Sequence, residues 1–143
     1  MNKNFFEKIY LSASRLEHML EELSQDGLTF SAVTLANLDK IEDFPAAACH
    51  DLNDFGLHRY YIPKIYGGLL TRYDELMMLW RVVACRDLTV AIAHGKTFLG
   101  TICTWISGTE SQASELSVAV NAGALVSWGL TEKNHGSDLL AGD

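Results

Sequence analysis

With 143 residues, 48% of them hydrophobic and 20% charged, the chain has the make-up of one folded domain rather than of a disordered segment. A net charge of -7 and a pI near 5.1 argue against generic binding to nucleic-acid phosphates. Cys49, Cys85 and Cys103 are too few and too far apart for a disulfide framework or a zinc site, and no apolar run is long enough for a signal peptide or a transmembrane helix, so a cytoplasmic, soluble protein is expected.

Residues 5–24 read as an amphipathic helix, with Ile9, Leu16, Leu20 and Leu23 on one face and Glu17, Glu21 and Glu22 on another. Asp26-Gly27 ends it, and a second helix is expected over 30–43, with Leu35, Leu38 and Ile41 apolar. Pro45 suits the first turn of a third helix that carries Ala48, Leu52 and Phe55 and stops at Gly56. Residues 57–70 are the substantial non-helical interval, because Pro63 forbids helix and Gly67-Gly68 permits a sharp bend. Tyr60, Tyr61 and Tyr66 are expected to hold this loop against the helices.

Thr71 and Asp74 have the spacing of a capping box and open a helix to about Arg86. Its broad apolar surface, Leu76, Met77, Leu79, Trp80, Val82 and Val83, predicts an inner helix packed on more than one side. The next helix runs to about Ser107 with a stripe of Leu88, Ile92, Gly95, Leu99, Ile102 and Ile106. Gly95 inside it costs about 1 kcal/mol against Ala, so something lies close to that face, either a neighbouring helix or a ligand chain. Thr109 and Gln112 make a capping box for a short further helix, Asn121-Ala122-Gly123 is a turn, and Ala124–Thr131 reads as a strand.

The expected fold is therefore all-α, an orthogonal or up-down bundle of five to six helices that ends in the first strand of a truncated β domain. A lone strand has no partner for its backbone groups, which makes residues 1–123 a helical domain and 124–143 the beginning of a second one. After the strand, Thr131-Glu132-Lys133-Asn134-His135-Gly136-Ser137-Asp138 is a loop of hydroxyls and free backbone N–H groups, suited to an anionic or heterocyclic ligand as well as to an ordinary turn. The five histidines are scattered without i,i+4 pairing, so no metal site is expected, and no general base or nucleophile is evident.

Trp128 to Asp138 resembles the strand-and-loop signature of acyl-CoA dehydrogenases, a hydrophobic strand, then Thr-Glu-Pro, two variable residues and Gly-Ser-Asp. Gly56-Leu57 with Ile62-Pro63-Lys64-Ile65-Tyr66-Gly67-Gly68 resembles the same family's Gly-Leu and Val-Pro-Glu-Glu-Tyr-Gly-Gly segment, and Gly108-Thr109-Glu110-Ser111-Gln112 resembles its Gly-Thr-Glu-Glu-Gln helix start. Lys133 stands where Pro is usual and His135 where the residue is usually small.

The resemblance implies the N-terminal part of a FAD-dependent oxidoreductase that removes the α proton of an acyl thioester and passes the β hydride to flavin N5. It implies cofactor contacts from Trp128, Leu130, Thr131, Gly136 and Ser137, and an acyl tunnel wall from Ala91, Gly95 and Leu99, with Ser137 also near the substrate. Small residues at Ala91 and Gly95 imply a deep pocket for a medium or long acyl chain. The implied partners are an acyl-CoA or acyl-carrier thioester, an electron-transferring flavoprotein and further copies of the chain in a tetramer or dimer. The catalytic glutamate is expected outside these 143 residues, which by themselves would be inactive. A flavin monooxygenase or nitroalkane-oxidase relative of the same fold, or a non-enzymatic helical interaction module, are the alternatives. Thr131, Glu132, Gly136, Ser137 and Asp138 favour the dehydrogenase.

Overall fold

The computed structural model describes residues 3–131 and 133, with side chains described from residue 11 onward. Six helices follow in order: α1 (Lys3–Leu23), α2 (Ala32–Lys40), α3 (Ala46–Phe55), α4 (Tyr73–Arg86), α5 (Leu88–Ser107) and α6 (Glu110–Asn121). Two short 3-10 turns, Leu57–Tyr61 and Lys64–Tyr66, occupy the interval around Pro63. The fold is all-α, and no helix among the described residues is long and apolar enough to cross a membrane.

Several helix ends have a local cause. The Ser31 hydroxyl accepts from the Thr34 N–H at 3.2 Å and starts α2; the Asp87 carboxylate accepts from Val90 N–H at 2.7 Å and starts α5. Thr109 and Gln112 form the complete reciprocal box at the start of α6. Gly56 ends α3 in the left-handed conformation, φ 90°, which a β-carbon disfavours.

Two expected boundaries shift. α2 stops at Lys40, so Ile41 lies past the helix and is exposed. The box expected at Thr71 does not form: Asp74 is taken by the Arg72 guanidinium in a bidentate pair at 2.9 and 2.6 Å, and α4 begins at Tyr73 without a side-chain cap.

α4 lies against α1 on one side and α5 on the other, while α5 also packs on α3 and α6. The core runs through these contacts: Leu16 and Leu20 from α1, Leu52 from α3, Leu76, Leu79 and Val83 from α4, Val90 and Phe98 from α5. Burial of each such side chain contributes about 1.5–3 kcal/mol. Glu75 is buried on α4 and its carboxylate accepts from the Ser12 hydroxyl of α1 at 2.8 Å, which answers the cost of placing it there.

The interval 57–70 is a rigid loop. Tyr61 is fully buried, Tyr66 stacks on Trp105, and the Trp105 indole N–H donates to the Tyr61 carbonyl at 3.0 Å. Pro63 and Leu70 form an isolated parallel bridge that closes it.

Candidate functional site

Along the outer face of α5 runs a groove of about 390 Å³, walled by Met77, Trp80 and Ala84 of α4 and by Ala91, Ile92, Gly95 and Leu99 of α5. Arg81 and Lys96 complete its lining. The wall residues recur every three or four positions on both helices, so each helix turns one apolar strip to the space between them. The volume falls in the range of small-ligand clefts.

The expected stripe on α5 faces outward at four of its positions, while Ile102 packs on the core. Leu88, Ile92, Leu99 and Ile106 are exposed, and α5 buries Val90, His94, Gly95, Thr97, Phe98 and Thr101 instead. Gly95 belongs to both faces. A β-carbon on it would lie 3.2 Å from Nε1 and 3.3 Å from Cε2 of Trp80, so the room it leaves holds the indole of the neighbouring helix. The floor of the groove is the face of Trp80 rather than an opening behind Gly95.

Trp80 is fixed by a chain of buried and half-buried polar groups. Its indole N–H donates to the Tyr61 hydroxyl at 3.2 Å, and that hydroxyl lies 2.6 Å from His94 Nδ1. His94 Nε2 lies 3.1 Å from Asn53 Oδ1, and the Asn53 amide reaches the Gly123 carbonyl at 3.5 Å. An indole only donates, so the Tyr61 proton goes to His94 Nδ1, and His94 carries its own proton on Nε2 toward Asn53. Burial pushes the His94 pKa down to about 4, with His58 adding charge repulsion. Burial also raises the Tyr61 phenol, and it lifts the Cys49 thiol to about 11, which leaves that cysteine inert. The chain has the chemistry of a structural clamp, not of an acid–base pair, and no cluster of metal ligands occurs among the described residues.

After Gly123, φ 89°, the chain leaves α6 and crosses α5. The Val126 N–H donates to the Thr97 hydroxyl at 3.2 Å. Residues 124–131 form no helix and no paired strand among the described residues. Trp128 and Leu130 stand about half exposed, and Thr131 is exposed. These three do not line the groove that brings Ala91, Gly95 and Leu99 together, while Gly136 and Ser137 lie outside the described residues. A second cavity of about 560 Å³ lies where the crossing segment meets α5, lined by Phe44, Pro45, Thr89, Leu125, Val126 and Ser127 and sharing Ile92 and Lys96 with the groove. A larger cavity, about 650 Å³, lies elsewhere around Phe30, Leu35, Asp39 and Arg86, and its mixed, charged lining fits an apolar ligand poorly.

Fold and groove together define an all-helical domain with an apolar groove between α4 and α5. Two relatives named probable acyl-CoA dehydrogenase FadE25, from Mycobacterium tuberculosis and Mycobacterium bovis, are 30% identical to it over 104 residues, and one of the same name from Mycobacterium leprae is 28% identical. The match covers 72% of this chain and 27% of the relatives' length. Over that span the chain belongs to the acyl-CoA dehydrogenase family. No family model matches it, and no solved structure matches it significantly.

Proposed function

We propose that this chain forms the N-terminal part of a FAD-dependent acyl-CoA dehydrogenase and that the α4–α5 groove holds the acyl chain of a CoA or carrier-bound thioester. The observation that carries this reading is the coincidence of Ala91, Gly95 and Leu99 in one apolar groove, at the positions that the family resemblance marks as a tunnel wall. Residues 1–123 are the helical domain, and 124–143 lead into a β domain.

Trp128, Leu130 and Thr131 stand exposed on an extended segment, which fits a flat heterocycle laid against them. Thr131 would donate a hydrogen bond to the ring, and Gly136 and Ser137 would meet the pyrophosphate. The bound flavin would supply the two-electron acceptor for the dehydrogenation. This chain's residues do the rest of the local work: they bind the acyl tail, exclude water from it and set its depth. The base that takes the α proton comes from beyond these residues, so the 143-residue chain is inactive alone. An electron-transferring flavoprotein and further copies of the chain complete the assembly.

The test is the protein expressed with its native downstream coding sequence. It is expected to purify yellow, and an acyl-CoA is expected to bleach the flavin. Trp80 forms the groove floor, so Trp80→Ala should move the preference toward longer chains, by roughly fourfold in kcat/KM per added methylene at about 0.8 kcal/mol each. Trp80→Phe should move it less. A flavin-free protein overturns the reading, and an unchanged chain-length profile in Trp80→Ala removes the groove from the substrate site.

A further inference from the structure

The segment that leads toward the proposed flavin loop is held at two points before any β domain begins. The first is Gly123, whose carbonyl accepts from the Asn53 amide. Its positive φ disfavours any other residue, and a β-carbon there would sit a tight 3.3 Å from Asn53 Nδ2, so the Asn53 amide would have to give way. The second is on α5. Thr97, almost fully buried, accepts the Val126 N–H, and one helical turn further Gly100 lies directly under residues 126 and 127. A β-carbon on Gly100 would lie 2.7 Å from Val126 Cγ1 and 2.8 Å from the Ser127 carbonyl oxygen, closer than such atoms approach. Thr97 and Gly100 are three apart and share one face of the helix. One accepts the Val126 N–H, and the other allows the backbone to come close enough for that bond.

From these contacts we infer that Thr97 and Gly100 are positioning residues: they form a dock on α5 that sets where the loop bearing Trp128, Leu130 and Thr131 starts. The role toward flavin rests on the function proposed above; the dock itself does not. Thr131 is five residues beyond Val126, about 17 Å of extended chain, so an error at Gly100 is carried outward to the cofactor contacts. A lost hydrogen bond at Val126 also releases the register of the whole segment.

Amide hydrogen exchange in the 143-residue chain, followed residue by residue, tests the dock. The Val126 amide is expected to be protected in the unmodified chain and to exchange about tenfold faster in Thr97→Val and in Gly100→Ala. Thr97→Ser keeps the hydroxyl and should keep the protection. Amides of α4 serve as the folding control and should not move. Gly100→Ala discriminates sharply, because Ala in place of Gly normally stabilises a helix. A Val126 amide that is unprotected from the start, or indifferent to both Thr97→Val and Gly100→Ala, overturns the dock. In the protein carrying its downstream sequence, FAD dissociation is read by flavin fluorescence, and Gly100→Ala should release FAD about tenfold more readily. Exchange that quickens while FAD affinity stays constant removes the positioning role and leaves the proposed function intact. Failure of the unmodified protein to take up FAD removes the flavin reading and leaves the dock standing.

Discussion

His94 shows how one residue links stability to the site. Its neutral ring joins Tyr61, and through it Trp80, to Asn53, and burial lowers its pKa to about 4 from the ordinary 6.5. Between those two values the unfolded chain binds a proton that the folded chain refuses, so stability falls as pH drops from 6.5 toward 4. The full window amounts to about 3 kcal/mol. Partly buried His58, also shifted down by burial, adds to the loss in the same direction. Urea midpoints measured from pH 7 to pH 5, above most carboxylate titration, should therefore decline in the parent chain. His94→Gln should flatten that decline, and an equal slope in both would show that His94 does not carry it. Nothing in the sequence marks His94 as special. Its partners are 33 and 41 positions away, and only the packing of α5 on α3 and the loop brings them together. Trp80 was equally hidden: as part of a broad apolar helix it reads as core, and its role as the filler of Gly95 appears only when α4 and α5 are side by side.

At the level of elements, most local chemistry was legible, the Thr71–Asp74 box excepted, and facing was not. Gly56 as a C-cap, Thr109 with Gln112 as a box, and the non-helical interval around Pro63 all follow from bonds between near neighbours, and all are present. Gly95 also signalled a close neighbour, because a glycine inside a helix needs a reason, but not whether it is a helix or a ligand chain; Trp80 of α4 stands there. The α5 stripe did not by itself say which side it presents. A helix apolar on most of its circumference has no unique inner face by periodicity: Leu88, Ile92, Leu99 and Ile106 of the stripe are exposed, while Gly95 is buried and Ile102 packs on the core. The loop gives a sharp prediction. A β-carbon on Gly68 would lie 2.0 Å from the Ile62 carbonyl oxygen and 2.5 Å from Ile62 Cβ, with Ile62 itself fully buried. Neither atom can retreat without opening the Pro63–Leu70 closure. Gly68→Ala should cost at least about 2 kcal/mol in denaturant unfolding, whereas Gly67→Ala meets open space and suffers only its positive φ, about 1 kcal/mol. Equal costs would show that the loop yields freely.

For the whole described molecule, the outer face of α5 and the crossing segment raise the question of what covers them. Leu88, Ile92, Leu99 and Ile106 stand exposed beside Met77 of the groove wall, and Leu125, Trp128 and Leu130 extend the apolar surface along the segment. Exposed apolar side chains gathered along one helix and the segment that crosses it suit a face that another surface covers. In the proposed enzyme the β domain, the acyl chain and the flavin cover it. The 143-residue chain alone should therefore bind a hydrophobic dye and self-associate with rising concentration, as read by sedimentation velocity. Ile92→Lys with Leu99→Gln places two polar groups on that face. Both positions are solvent-exposed, so stability should change by less than about 0.5 kcal/mol per site while dye binding and association fall. The protein with its downstream sequence should bind little dye before any substitution, because the same side chains are then covered. If the isolated chain stays monomeric and dye-free, the exposed stripe is an ordinary surface and α5 is not one wall of a larger chamber.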